Sequence, residues 1–130
     1  MALVGRTYQE VCANFLWDIP KQFNIAEVIC DRHVGSSRTA LLVETAGGRM
    51  AEMTFEHLQE RSRRLANALS SLGLKRGDRV AILLPQCPEA LIAHLAAYRL
   101  GAIALPLFTL FGPEAIEYRL RSCRSECNGN

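Results

Sequence analysis

Apolar residues follow two different spacings along the chain, and the clearest pattern lies in residues 77–107, GDRVAILLPQCPEALIAHLAAYRLGAIALPL. Residues 79–84 form a short apolar run, as expected for a strand buried on both faces. A helix is predicted from Pro88, because proline at the first helical position lacks only an N–H that would be unpaired there. Gly101 is predicted to end that helix, and residues 102–105 form a second apolar run that stops at Pro106.

Two strands joined by a helix of this length are expected to lie parallel, with a right-handed crossover. The pattern therefore predicts the α/β class. More narrowly, it predicts a partial parallel-sheet layer, a βαβ unit, flanked by helices.

Helical spacing recurs on both sides of this unit. Thr54 is predicted to cap a helix that ends at Gly73, where a left-handed residue is wanted. Its apolar face consists of Phe55, Leu58, Leu65, Ala66, Leu69 and Leu72. The opposite face carries Glu60, Arg61, Arg63 and Arg64, which indicates a solvated face rather than an anion site. A last helix is predicted over residues 112–122, with Ala115, Ile116 and Leu120 covering the sheet.

The first third of the chain predicts smaller elements. Residues 7–33 contain two helical patterns separated by Pro20, the second with Ile25, Val28 and Ile29 at helical spacing. The aromatic residues Phe15, Trp17 and Phe23 are expected to pack on the main sheet rather than to form a stacking platform for a ligand. Residues 39–44 and 49–53 flank Gly47-Gly48 and predict an edge hairpin.

Composition narrows the class of protein. The 130 residues suffice for about one domain, and the 49% hydrophobic and 22% charged residues are ordinary for a soluble globular protein. A net charge of +2 gives no strong field, so neither nucleic acid nor anionic lipid is an expected partner. No stretch is long enough to span a bilayer, and residues 1–10 do not resemble a secretory signal.

The cysteines and histidines do not form a recognisable reactive site. Five cysteines at irregular spacing, Cys12, Cys30, Cys87, Cys123 and Cys127, indicate reduced thiols and a cytoplasmic location. Cys123 and Cys127 lack a second pair of ligands, so no zinc site is predicted. The three histidines, His33, His57 and His94, fall in separate elements without a nucleophile motif, and His94 is expected to be buried. We therefore predict no catalytic residue and no metal ligand.

The carboxyl ends of the two parallel strands are the expected ligand edge of the βαβ unit, near Gln86 and residues 108–111. The Pro-Gln-Cys-Pro loop at residues 85–88 is poor in N–H donors and lacks a glycine-rich phosphate motif. Glu89 and Glu114 each follow a proline at a helix start, where the helix dipole favours a carboxylate without any catalytic role.

The longest informative stretch is MTFEHLQERSRRLANALSSLGLKRGDRVAILLPQCPEALIAHLAAYRLGAIALPLFTLFGPEAIEYRL, residues 53–120. Its helix, its GDRVAILLP strand, its PEALIAHLAAYRLGAIALPL unit and its final helix resemble, in the same order, the amino-terminal part of AMP-forming acyl-CoA synthetases. The opening NFLWDIPKQFNIAEVICDRH is similar to acetyl-CoA and medium-chain acyl-CoA synthetases. The resemblance covers about residues 8–121 and implies the large domain of an adenylate-forming enzyme.

The resemblance implies a two-step ligase reaction. A carboxylic acid substrate attacks ATP to form an acyl-adenylate, and coenzyme A then displaces AMP, with Mg²⁺ neutralising the phosphates. The family places its phosphate loop, nucleotide contacts, acyl pocket and catalytic lysine further along than residue 130. The expectation is therefore a fragment that is inactive alone and binds none of these cofactors tightly, with residues 1–122 as domain and 123–130 as an aberrant or truncated tail.

One site residue is carried over by the resemblance. Acetyl-CoA synthetase-like members have Phe-Gly-Gly ahead of Phe-Ser-Pro-Glu-Ala, and this chain has Phe108-Thr109-Leu110 ahead of Phe111-Gly112-Pro113-Glu114-Ala115. Phe108 is thus the implied coenzyme A contact. Arg119 and Arg121 on the following helix are alternatives for a phosphate contact, although a solvated face is the simpler interpretation of both.

Two other functions remain open. One is an adenylation module that loads a carrier protein, and the other is a non-enzymatic α/β interaction module. A fragment is also expected to expose a sheet edge, and such an edge favours self-association.

Overall fold

The computed structural model describes residues 5–17, 20–44 and 47–125. Its elements, in chain order, are α1 (Tyr8–Asn14), α2 (Ile25–Ile29), a short 3-10 helix (Asp31–His33), β1 (Thr39–Glu44), β2 (Met50–Thr54), α3 (Phe55–Ser71), β3 (Arg79–Leu83), α4 (Pro88–Arg99), β4 (Ile103–Leu107) and α5 (Pro113–Ser125). The predicted α/β class is confirmed.

The βαβ unit forms as predicted. Strands β3 and β4 pair in parallel, with Arg79 opposite Ile103 and Leu83 opposite Leu107. The turns that precede the two strands lie side by side, and the Gly77 amide of one donates to the Gly101 carbonyl of the other at 3.0 Å. Helix α4 crosses between the strands and begins with Pro88 at the first helical position.

Two details of this unit differ from the sequence prediction. Strand β4 does not stop at Pro106 but runs through it, opposite Ile82. Proline is tolerated there because, among the described residues, β4 pairs with β3 alone and so keeps a free edge. Strand β3 is also not buried on both faces, since Ile82 is its only buried residue. A two-stranded sheet is buried on both faces only where another layer of structure covers each face.

The hairpin pairs as predicted but is not an edge of the main sheet. Strands β1 and β2 are antiparallel, with Thr39 opposite Thr54 and Glu44 opposite Met50, and they form a separate two-stranded sheet. An isolated hairpin is marginally stable, so this one needs other support. Met53 supplies it by joining the core between the hairpin and the helices.

The core lies between α2, β2, α3 and α4. Its buried cluster consists of Ala26, Cys30, Met53, Leu58, Ile92 and Leu95. The buried side of α2 is Ala26, with Cys30 just after the helix, whereas Ile25 and Ile29 are exposed. The small residues are buried because α2 lies against α4, and a close approach of two helices leaves little room for branched side chains.

The early aromatic residues do not pack on the main sheet, so that prediction is wrong. Trp17 is 75% exposed and Phe23 is 62% exposed. The rings of Phe15 and Trp17 meet edge to face with centroids 5.0 Å apart. Helix α1, which precedes them, buries none of its residues, so this segment lies on the surface.

Helix α3 begins and ends as predicted. The Thr54 hydroxyl accepts a hydrogen bond from the His57 amide at 3.3 Å, and Gly73 after the helix has a φ of +92°. The inner face of α3 differs from the predicted apolar face at two positions. Leu72 is exposed because it follows the last turn, and Ser62 is fully buried.

Helix α5 covers the outer face of the main sheet only in part. A groove of about 720 Å³ separates them, and Ala81, Leu105, Ile116 and Leu120 are among its lining residues. The helix continues to Ser125, three residues beyond the predicted end. Among the described residues, no helix is both long and apolar enough to cross a lipid bilayer.

Gly101 offers a direct test of the turn after α4. Its φ is +64°, and an added Cβ would lie 3.0 Å from the Cγ of Arg76. Gly101→Ala should lower the free energy of unfolding by about 1–2 kcal/mol in urea denaturation, since side chains disfavour this conformation. Gly47→Ala is the control, because its Cβ would meet no atom within 4 Å. Equal losses of unfolding free energy in both variants would show that the turn does not require glycine at position 101.

Candidate functional site

A half-buried ion pair joins the 3-10 helix to the end of α4. Arg99, the last residue of α4, donates from Nη1 to Asp31 Oδ2 at 2.8 Å and from Nη2 to Asp31 Oδ1 at 2.6 Å. The two side chains are 11% and 18% exposed. This is the two-pronged geometry in which arginine binds a carboxylate most strongly.

Helix α3 completes the cluster. The Arg99 Nε donates to the buried Ser62 hydroxyl at 3.0 Å, and that hydroxyl donates to the Gln59 carbonyl at 3.0 Å. Arg63 adds a longer contact to Asp31 Oδ2 at 3.3 Å. The cluster thus ties the 3-10 helix, α3 and α4 together through polar groups that are all paired.

The cluster shifts the pKa values of its members. The hydrogen bonds from Arg99 lower the pKa of Asp31 to about 2, against the opposing effect of burial. The same pairing raises the pKa of Arg99. Burial is the main cause that raises the pKa of the neighbouring Cys30 thiol. These groups are therefore a fixed ion pair and an unreactive thiol, which fits a structural role rather than proton transfer.

The ligand edge of the βαβ unit lies at the other end of α4. A cavity of about 280 Å³ opens there between the carboxyl ends of β3 and β4, and Gln86, His94 and Phe108 are among its lining residues. A second cavity of about 400 Å³ lies between β1 and α4 and is also lined by Gln86 and His94. The structure therefore brings Gln86 and Phe108, the two predicted ligand-edge positions, to one cavity.

Phe108 lies just after β4, lines the smaller of these two cavities and is 56% exposed. It begins a tight turn in which the Phe111 amide donates to the Phe108 carbonyl at 3.0 Å. The two rings meet edge to face, with centroids 5.8 Å apart. An exposed aromatic ring with a fixed neighbour is suited to stacking against a flat organic ligand.

The arginines of α5 differ from each other. Arg121 is 80% exposed and pairs with Glu117 one turn earlier, as expected on a solvated face. Arg119 is half-buried, and its guanidinium carbon lies 4.0 Å from the centroid of the Phe111 ring. The solvated-face interpretation is therefore wrong for Arg119.

The basic face of α3 is solvated as predicted. Arg61 pairs with Glu89, and Arg64 pairs with Glu60, in contacts whose partners are all well exposed. Arg63 is the exception, because it also reaches Asp31. Exposed pairs of this kind contribute at most about 1 kcal/mol each.

The three histidines lie in different parts of the fold and do not contribute to one shared site. His33 lies beside Arg38, with its Nδ1 2.7 Å from the guanidinium, and His57 is exposed on the first turn of α3. His94 is half-buried rather than buried, and its Nδ1 lies 2.7 Å from the Ala90 carbonyl. Within the described ranges, no three His, Cys, Asp or Glu side chains are grouped so as to hold a metal ion. Cys127 lies outside those ranges.

The parallel βαβ layer and its flanking helices define the class as an α/β fold. The model of the AMP-binding enzyme family matches residues 31–127. The chain therefore belongs to the AMP-binding enzyme family.

Similar proteins agree with this assignment. The acetyl-coenzyme A synthetase of Alkalilimnicola ehrlichii is 40% identical over 108 residues, which cover 81% of this chain and 17% of that protein. The crystal structure of the Brucella canis acyl-CoA synthetase has a TM-score of 0.80 and 38% identity, and the match covers 88% of this chain and 23% of that one. The anthranilate CoA ligase AuaEII in complex with anthranoyl-AMP has a TM-score of 0.70 and 32% identity, covering 82% and 20%. The chain spans about a fifth of the length of such relatives.

The pKa of Asp31 predicts an acid-sensitive fold. Because the pKa is lower in the folded state than the usual 3.8, this carboxylate stabilises the fold above pH 4, and the contribution is lost as pH falls toward 2. The loss should be about 2 kcal/mol of unfolding free energy, measured by urea denaturation across this pH range.

Asp31→Asn should remove that part of the pH dependence and destabilise the chain by about 3 kcal/mol at neutral pH, because Arg99 loses its counter-ion. Glu60→Gln, at an exposed pair, is the control and should cost no more than about 0.5 kcal/mol. If the unfolding free energy of Asp31→Asn still fell by the same amount between pH 4 and pH 2, another group would be the cause of the acid sensitivity.

Proposed function

We propose that this chain is the amino-terminal segment of an ATP-dependent acid–thiol ligase that activates a small carboxylic acid and transfers it to coenzyme A. The observation that supports this proposal most strongly is the similarity to the Brucella canis acyl-CoA synthetase, which covers 88% of the chain at 38% identity. The relatives are named for acetyl-coenzyme A and acyl-coenzyme A synthesis. The complex of AuaEII with anthranoyl-AMP supports an acyl-adenylate as the intermediate.

The reaction would run in two steps. The acid's carboxylate oxygen attacks the α-phosphorus of ATP, and pyrophosphate leaves. The thiolate sulfur of coenzyme A then attacks the acyl carbon of this mixed anhydride, and AMP leaves with the electron pair of the broken acyl C–O bond. Both steps require charge stabilisation at phosphate and carbonyl oxygens.

Within this reaction the chain supplies a scaffold and one contact. The Pro-Gln-Cys-Pro loop at residues 85–88 contains two prolines and so offers few N–H donors to a phosphate. The described residues offer no acidic cluster for Mg²⁺, and none is assigned to it. Phe108, exposed at the ligand edge, is the proposed coenzyme A contact, where its ring would stack on the flat adenine.

The 130-residue chain should be inactive alone, because these residues provide no phosphate-binding loop or catalytic lysine of the family pattern. Purified chain with ATP, Mg²⁺, coenzyme A and a panel of short- and medium-chain acids should release no acid-dependent pyrophosphate. The Alkalilimnicola ehrlichii acetyl-coenzyme A synthetase is the positive control. Turnover by the chain with any acid would contradict the proposal.

A chimera tests the segment in its proposed setting. Residues 8–121 would replace the matching segment of the Brucella canis enzyme, and we expect acid-dependent formation of the coenzyme A thioester. Phe108→Ala in the chimera should raise the KM for coenzyme A about tenfold and leave the KM for ATP unchanged. Phe23→Ala removes another exposed ring and is the control. Equal effects on both KM values would refute a coenzyme A contact.

A further inference from the structure

We propose that Arg119 is a positioning residue that fixes the turn at residues 108–111 and thereby the orientation of Phe108. The inference rests on the proposed function, because that function assigns coenzyme A to Phe108. It adds a residue on α5 whose side chain acts through Phe111 without touching the cofactor.

Arg119 is held at two points. Its guanidinium carbon lies 4.0 Å from the centroid of the Phe111 ring, well within the range of a cation–π interaction. Its Nη1 donates to the Ala115 carbonyl, one helical turn earlier, at 3.3 Å. The hydrogen bond fixes the guanidinium to the helix, so the helix in turn holds the ring.

Phe111 passes this constraint to Phe108 in two ways. Its amide donates to the Phe108 carbonyl at 3.0 Å, which closes the turn. Its ring meets the Phe108 ring edge to face at 5.8 Å. A change in the position of Phe111 therefore changes both the backbone and the side-chain surroundings of Phe108.

Arg121 provides a matched comparison on the same helix. It carries the same charge two residues later, but it is exposed and pairs with Glu117. Lysine at position 119 would keep the charge and lose the planar group that stacks on the ring and donates to the carbonyl. Charge and shape can therefore be tested separately.

The first measurement is amide hydrogen exchange by NMR on the 130-residue chain. Arg119→Leu should speed exchange at the Phe111 amide about tenfold, Arg119→Lys should have an intermediate effect, and Arg121→Leu should have none. The amide of Leu95 in the core should be unchanged in all three variants. Unaltered exchange at Phe111 in Arg119→Leu would overturn the proposal.

The second measurement is titration of the same chain with coenzyme A, followed by the NMR shifts of the Phe108 ring. Arg119→Leu should weaken binding about tenfold relative to the unsubstituted chain and to Arg121→Leu. Equal binding by all three, despite faster exchange at Phe111, would reduce Arg119 to a structural role and overturn the proposal.

Adenosine 3′,5′-bisphosphate and pantetheine are titrated separately to identify the part of coenzyme A that is bound. Shifts with the bisphosphate alone support stacking of the base on Phe108. If coenzyme A shifts no Phe108 signal in the unsubstituted chain, the coenzyme A assignment of the proposed function fails, and with it the functional part of this inference. Hydrogen exchange at Phe111 then decides separately whether Arg119 fixes the turn.

Discussion

The ion pair between Asp31 and Arg99 is the contact on which the rest of the structure depends. It links the segment before the hairpin to the end of α4, across 68 positions of sequence, and the buried Ser62 hydroxyl adds α3 to the same cluster. A largely desolvated pair of this kind is costly to form and more costly to break, because removing one partner leaves an uncompensated charge. The pair therefore helps to fix the orientation of α4, and hence of the βαβ unit, beside the apolar packing of the helix.

Helix α4 connects this cluster to the ligand edge. Its last residue, Arg99, is fixed by Asp31, and its first turn lies beside the cavity that Gln86 and Phe108 line. The apolar face of the helix packs on the core through Ile92 and Leu95. Structural charge is thus placed at one end of the helix and the proposed cofactor contact at the other.

Local signals in the sequence predicted most of the elements. Proline at the start of α4, glycine after it and threonine before α3 act through neighbouring backbone groups, so their effects are readable from a few residues. Contacts between distant residues were not predicted. Asp31 and Arg99 each resemble ordinary surface charges in the sequence, and nothing local indicates that they meet. The exposure of Trp17 and the course of β4 through Pro106 likewise depend on which layers cover them. The contact between Arg119 and Phe111 depends on how the turn is placed relative to α5.

The double-mutant cycle of Asp31→Asn and Arg99→Leu tests the central role of this ion pair most directly. Urea denaturation at neutral pH would give the unfolding free energy of the chain, both single variants and the double variant. A largely desolvated two-pronged pair predicts a coupling energy of about 2 kcal/mol or more between the two positions. A coupling below about 0.5 kcal/mol, as found for exposed pairs, would contradict it.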